Sequence, residues 1–149
     1  MEDKIKITKM TEEHLKPLLK MGKKHWPEDG WLTMSYLKNS LGQKGLSYAA
    51  LENDRVIGGV IMVFEDIVKN WIRYIIIEEN YRNSGTGSRL LEKITKHLKH
   101  GESIFVDAGA GLEDRGAVHF YEKNGFKNRG KVKSLYGKHA GYILEKDII

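Results

Sequence analysis

NWIRYIIIEENYRNSGTGSRLLEKITKHL, residues 70–98, decides the architecture of this chain. Its apolar part, Trp71, Ile72 and Tyr74 to Ile77, is short, aromatic and β-branched, which reads as a buried strand. Glu78, Glu79 and Asn80 end the strand, and Arg82 to Gly87 form a tight polar turn. Leu90, Leu91, Ile94 and Leu98 then recur on one face of a helix. A buried strand, a glycine turn and a helix N-terminus together make a site for an anion. Glycine lets the backbone approach the ligand, and unpaired N–H groups and the helix dipole point at it.

The turn lacks G-x-x-x-x-G-K-[ST], so it is not a P-loop, and Leu90 stands where G-x-G-x-x-G needs a third glycine. It does match [R/Q]-x-x-G-x-[G/A], from Arg82 through Gly85 to Gly87. In this the segment resembles the acyl-CoA-binding motif of the GNAT superfamily of N-acetyltransferases. A second stretch, GAVHFYEKNGF at 116–126, resembles the family's A-x-x-x-Y-x-x-x-G-F element, a helix closed by glycine and followed by a strand. On the residues alone, Ala117 and Tyr121 share a helix face and Gly125 suits the position just past the helix end.

The resemblance carries several implications. Gly85 and Gly87, with Asn83, Ser84, Thr86 and Ser88, would hold the CoA pyrophosphate through backbone amides, and Arg82 would open the loop. Backbone groups at Ile75 and Ile77 would lie along the acyl-pantetheine arm. Tyr121 would be the general acid for the CoA thiolate, against the simpler reading of a core tyrosine. Ala117 and Asp114 fall on the cofactor side; the family often has Asn where Asp114 stands, and Asp adds a negative charge there. Histone-acetylating members place a Glu early in the strand, but Asn70 to Arg73 supply none. Glu78, Glu79, Asp107, Asp114 and the six histidines all stay open as the base.

For the acceptor, the resemblance implies a pocket built from two loops. In the first, His25 to Trp31, the indoles of Trp26 and Trp31 flank Glu28 and Asp29, an arrangement suited to a cationic amine. The second, residues 131–138, is basic and argues instead for an acceptor bearing a carboxylate or phosphate.

Composition sets the bounds. The 149 residues suit one domain, 1–149, and the 40% hydrophobic and 30% charged content is that of a globular protein. With no Cys there is neither disulfide, thiolate metal site nor cysteine nucleophile, and no metal is expected. The N-terminus has no apolar leader and no run reaches membrane-spanning length, so a cytoplasmic location is expected. Residues 1–79 carry 12 basic and 12 acidic side chains, whereas residues 80–149 carry 13 and 8. The whole excess of five thus lies in the half with the glycine turn, where a polyphosphate ligand would be held.

Taken in order, the chain predicts a strand over 3–10 and a helix capped by Thr11 that Pro17 shortens or kinks. A connector from Gly22 to Gly30 leads to a helix over 32–41 with Thr33 a candidate N-cap, and strands over 46–52 and 55–65 turn at Asn53-Asp54. Gly58-Gly59 marks a bulge or a close backbone approach. After the central strand and helix come a strand over 103–107, a loop over 108–114, the Tyr121 helix, and strands over 126–132 and 139–146. The fold class is mixed α/β, order β-α-α-β-β-β-α-β-α-β-β, with a GNAT-like, mostly antiparallel sheet flanked by helices.

The expected function is acetyl transfer from acetyl-CoA to a primary amine by direct attack in a ternary complex. Absence of Cys favours this over a thioester-enzyme route. The rivals are a non-catalytic acyl-CoA-binding module and, less favoured, a nucleic-acid-binding domain, for which no base-reading motif is present. A homodimer is compatible with the sequence without being signalled by it.

Overall fold

The computed structural model describes residues 4–27, 30–66, 68–111 and 115–149. Seven strands form one sheet in the order β1-β2-β3-β4-β5-β7-β6: β1 Ile5–Lys9, β2 Gly45–Glu52, β3 Arg55–Glu65, β4 Lys69–Ile77, β5 Ser103–Gly109, β6 Lys127–Val132 and β7 Gly141–Asp147. Four α-helices accompany it: α1 Leu15–His25, α2 Met34–Gly42, α3 Thr86–Thr95 and α4 Arg115–Lys123. The element order is the expected one. Among the described residues only β4 and β5 pair in parallel, and every other ladder is antiparallel.

The sheet has a core on each face. On one, Leu90, Leu91 and Ile94 of α3 meet Ile72, Ile104, Val106, Leu144 and Tyr121. On the other, Leu15, Leu18, Leu32 and Leu37 meet Ile61, Tyr74 and Ile76. Ile72 and Tyr74, two apart on β4, belong to different faces because β4 carries a bulge. Ile61 pairs with Tyr74 and Met62 with Ile72, so Arg73 is the extra residue. The bulge brings Arg73 and Tyr74 to the α1/α2 face and returns Ile75 and Ile77 to the α3 face.

Three local expectations change. Pro17 neither kinks nor shortens α1: it is the helix's third residue, where the missing N–H has no intrahelical acceptor to lose. Thr11 instead opens a short 3-10 turn, Glu12–His14, and its backbone N–H donates to His14 Nδ1 at 3.0 Å. Gly22 begins no connector but lies inside α1. A Cβ there would stand 2.4 Å from Leu32 Cδ2 and from the Tyr74 hydroxyl, which donates to the Leu18 carbonyl at 2.6 Å.

Other predictions hold in detail. Thr33 caps α2, accepting from the Tyr36 N–H at 3.0 Å. Asn53 and Asp54 take φ of 50° and 66°, the backbone of a two-residue hairpin turn. At Gly58-Gly59 both readings are realised. The register slips so that Ile57 is extra, and a Cβ on Gly59 would meet Met10 at 2.8 Å. β5 runs to Gly109 rather than ending at Asp107, because its ladder with β7 continues to the Gly109–Gly141 pair.

Candidate active site

The site is built where the sheet parts. β4 and β5 are in register at one position, Trp71 with Phe105, although β4 runs on to Ile77 and β5 to Gly109. Below that point Asn70 Nδ2 donates to the Ser103 carbonyl at 2.9 Å and fastens the strands together. Beyond it no ladder joins them. The Glu78 N–H donates to the Ile57 carbonyl at 2.8 Å, toward β3. By strand alternation the backbone groups of Ile77 and Ile75 turn the other way, into the parting. Their side chains remain packed against the α3 core.

The glycine turn sits at the open end of this groove. Glu79–Tyr81 form a 3-10 turn, Asn83 and Gly85 take φ of 65° and 85°, and Gly85 is the N-cap of α3 without a side-chain cap. The first N–H groups of α3, at Thr86, Gly87 and Ser88, have no carbonyl one turn back to bond. A weak contact from Thr86 N–H to Ser84 Oγ, 3.4 Å, is what the loop supplies itself. Ser84 Oγ also meets Thr86 Oγ1 at 2.7 Å and donates to the Tyr81 carbonyl.

The two glycines differ in purpose. Around Gly85 a side chain would meet nothing within 4 Å, so its left-handed backbone is what calls for glycine. A Cβ on Gly87 would instead lie 2.8 Å from the Phe120 ring, so Gly87 permits α3 and α4 to approach. Arg82, at the start of the loop, donates through Nε to the Ile77 carbonyl at 3.2 Å. Its Nη2 lies 3.2 Å from His25 Nδ1.

Tyr121 projects from α4 into the core, 5% exposed, with Phe120 and Phe126 edge-on at 5.4 and 5.5 Å. Burial, and secondarily the charge of Asp107, push its phenol well above the usual range, so it is protonated throughout the neutral range. The α4 end follows the predicted glycine closure: Gly125 has φ 90° and the Phe126 N–H returns to the Tyr121 carbonyl at 3.0 Å. Ala117 is exposed on α4. Asp114, Glu28 and Asp29 lie outside the described residues.

On the α1/α2 side, Trp26 packs 6.1 Å from Tyr74 and 5.8 Å from Trp31. Trp31 is 44% exposed and stands edge-on to Tyr36 at 5.2 Å. Sequence reasoning missed Tyr36 and Arg73. The Arg73 guanidinium lies over the Tyr36 ring at 5.5 Å and is held by Asp66 at 2.8 Å and Ser40 Oγ at 3.0 Å.

The candidate bases separate sharply. Glu78 is paired with Arg55 at 2.9 Å, and Glu79 is an exposed residue of the 3-10 turn. Asp107 is no loop carboxylate: it lies on β5 in the parting, partly buried. The Tyr136 hydroxyl donates to Asp107 Oδ2 at 2.6 Å. Desolvation nevertheless prevails over Tyr136, its own backbone N–H and the Trp71 side chain, which all favour the carboxylate, and raises its pKa. The basic loop thus contributes a tyrosine here, a role that no local pattern marks. Two surface concavities, one lined by Ile7, Arg89 and Lys93 and one by Pro17, Leu19 and Lys20, lie away from the groove.

Comparison with known proteins agrees with this architecture. An N-acetyltransferase of Methanocaldococcus jannaschii, itself uncharacterised, is 31% identical over 62 residues, which is 42% of this chain and 27% of the relative's length. Among solved structures, Ard1 of Thermoplasma volcanium superposes with a TM-score of 0.84 at 13% identity, covering 99% of each chain. Arabidopsis thaliana Naa50, solved with the bisubstrate analogue CoA-Ac-MVNAL, gives 0.80 at 18% identity, over 97% of this chain and 99% of that one. These two likenesses are of fold. The family profile described as the acetyltransferase (GNAT) domain matches residues 43–128, from the start of β2 into β6 and so across the parting, the glycine turn and Tyr121. The chain belongs to the GNAT acetyltransferase family.

Proposed function

We propose that residues 1–149 act as one domain that transfers an acetyl group from acetyl-CoA to a primary amine, both bound at once. The observation that carries this reading is the groove: β4 and β5 part after Trp71–Phe105, and the glycine turn stands at its open end. Acetyl-CoA suits it in two respects. The backbone positions at Ile75 and Ile77, which share no ladder with β5, can pair with an amide-bearing pantetheine arm as an added strand would, with the Ile77 carbonyl already accepting from Arg82. The uncapped start of α3, with open space around Gly85, can receive the pyrophosphate. In this reading Arg82 to Ser88 hold the phosphates, with Ala117 and Asp114 on the same side.

Bound there, acetyl-CoA supplies an activated acyl carbon, and the chain supplies position and protons. A backbone N–H of the unpaired β4 edge faces the acyl oxygen and stabilises its developing charge. Tyr121, kept neutral by burial, donates its proton to the departing thiolate sulfur. The amine enters from the opposite face, past Trp26 and Trp31, with Glu28 and Asp29 completing that loop. We place the reaction in the cytoplasm; among the described residues no helix is long and apolar enough to cross a membrane.

The test is acetylated product, followed by mass spectrometry, from acetyl-CoA and a panel of primary amines. Wild type should give product, and Tyr121→Phe should lower kcat by about 10²-fold or more with acetyl-CoA affinity kept. Unchanged turnover across pH in Tyr121→Phe would remove it as the acid. CoA binding without acetylation of any acceptor would favour a non-catalytic binding module.

A further inference from the structure

Asp107 is a carboxylate without a counter-ion. Asp66 has Arg73 at 2.8 Å and Glu78 has Arg55 at 2.9 Å. The groups that favour the Asp107 carboxylate are neutral, the Tyr136 hydroxyl, its own backbone N–H and the Trp71 side chain; among the described residues no cation lies within ion-pair distance of it. A partly buried charge in that condition is costly unless a cation completes it.

Its place says where the cation comes from. Asp107 follows Phe105 by two residues on β5, just past the point where β4 and β5 part. It lies on the strand face opposite Val106 and Ala108, which belong to the α3/α4 core. Its charge raises the phenol pKa of both Tyr36 on α2 and Tyr121 on α4, behind the larger effect of their burial. We propose that Asp107 receives the acceptor's ammonium and takes its first proton, and that the acceptor is a primary alkylammonium on an apolar stem. This rests on the acetyl-transfer reading.

The surroundings select that class. On the α1/α2 side exposed Trp31 stands edge-on to Tyr36, an aromatic wall suited to a carbon stem and to a cation over a π-face. The titratable groups about Asp107 are Tyr136 from the β6–β7 loop, Tyr36 from α2 and Tyr121 from α4, and Arg73 of β4 lies over the Tyr36 ring. Arg73 is already engaged by Asp66 and Ser40 and so offers no ready seat for an acceptor carboxylate. Lys131, Lys133 and Lys138 of the basic segment are all exposed, and it is the loop's tyrosine that reaches the site.

The proton balance closes. Asp107 takes one proton from R–NH3+, leaving the nitrogen lone pair free to form the C–N bond. The C–S bond breaks and Tyr121 gives its proton to the sulfur. The second proton leaving nitrogen restores Tyr121, and Asp107 returns its own to solvent, so one proton is released per turnover. Asp107 is a catalytic residue in this scheme; Tyr136 and Trp71 position it.

The experiment compares phenethylamine, a peptide beginning with Met, and phenylalanine as acceptors for wild type, Asp107→Asn and Tyr136→Phe. It is paired with carbon-13 NMR titration of the Asp107 carboxyl in the protein alone. Phenethylamine or the peptide should be acetylated in preference to phenylalanine, and which of the two is faster separates a free amine from a chain terminus. Asp107→Asn should lower kcat/KM by about 10²–10⁴-fold and abolish the acidic limb of its pH profile, with acetyl-CoA binding kept. Tyr136→Phe removes a hydrogen bond that favours the carboxylate, so the acidic limb and the NMR titration should both move to higher pH.

Asp107→Asn within threefold of wild type, or a limb that ignores both changes, overturns the proposal. So does preference for phenylalanine, or wild type that binds acetyl-CoA and acetylates neither cationic probe. Wild type that fails to bind acetyl-CoA removes the underlying acetyl-transfer reading, and this inference with it.

Discussion

Trp71 on β4 is in register with Phe105 on β5, and that one pair is where the two central strands of the sheet stop sharing a ladder. Everything assigned to function lies around the consequence: a backbone edge on one strand, a carboxylate on the other, and a helix N-terminus at the mouth.

The unpaired edge should be visible in hydrogen exchange. Amides of Ile75 and Ile77 point into the parting, whereas Ile76 and Glu78 face β3. In the free protein the first two should exchange faster than their neighbours, and acetyl-CoA should slow them selectively. Equal protection of all four, unchanged by ligand, would mean the edge is not used.

Gly85 and Gly87 should fail for different reasons. Gly85→Ala places a side chain at φ 85° in open space and should cost about 1–2 kcal/mol through backbone strain. Gly87→Ala drives a methyl into the Phe120 ring and should cost about 1–3 kcal/mol. Denaturant unfolding of the double variants with Phe120→Leu decides it: the smaller side chain should rescue Gly87→Ala and leave the Gly85→Ala deficit unchanged.

Gly22→Ala should destabilise by about 1–3 kcal/mol, because its Cβ meets Leu32 and the Tyr74 hydroxyl. Tyr74→Phe alone should cost about 0.5–1.5 kcal/mol through the lost bond to the Leu18 carbonyl. Combined, the two should cost less than their sum, since the phenylalanine removes one of the two closest clashes. Strict additivity in chemical unfolding would refute the packing account.

Asp107 should weaken the fold that it serves. Its native pKa is raised, so between the unfolded and native values the native state binds more protons and stability falls as pH rises. Asp107→Asn removes that fall. At neutral pH the variant should melt above wild type, and the gap should close as pH is lowered through the window. A variant less stable than wild type at neutral pH would show that the hydrogen bonds from Tyr136 and Trp71 outweigh desolvation.

How much of this was legible in the sequence follows from how local each signal is. The strand, turn and helix over 70–98 have short-range signatures, and so do the Thr33 cap and the Asn53-Asp54 turn; all were found. Gly22 reads in the sequence as the start of a connector, whereas its reason is tertiary: two side chains distant in sequence fill the space a Cβ would take. The Arg73 bulge leaves no trace in a run of apolar residues, yet it decides which face Tyr74 and Ile76 serve. Asp107 was one carboxylate among several, and only the partner strands show that it lacks a cation. Tyr136 sits in a loop whose lysines dominate its composition, and its contact with Asp107 spans 29 residues.

The most direct test of the central claim is a thermal-shift titration with acetyl-CoA, CoA and NAD on wild type and Gly85→Glu. A ligand that binds only the native state adds about 2.7 kcal/mol of stability at a hundred times its Kd, so micromolar affinity is easily seen. The account predicts stabilisation of wild type by both CoA forms, none by NAD, and a much reduced response in a folded Gly85→Glu. A folded wild-type protein whose melting temperature ignores acetyl-CoA and CoA would contradict it.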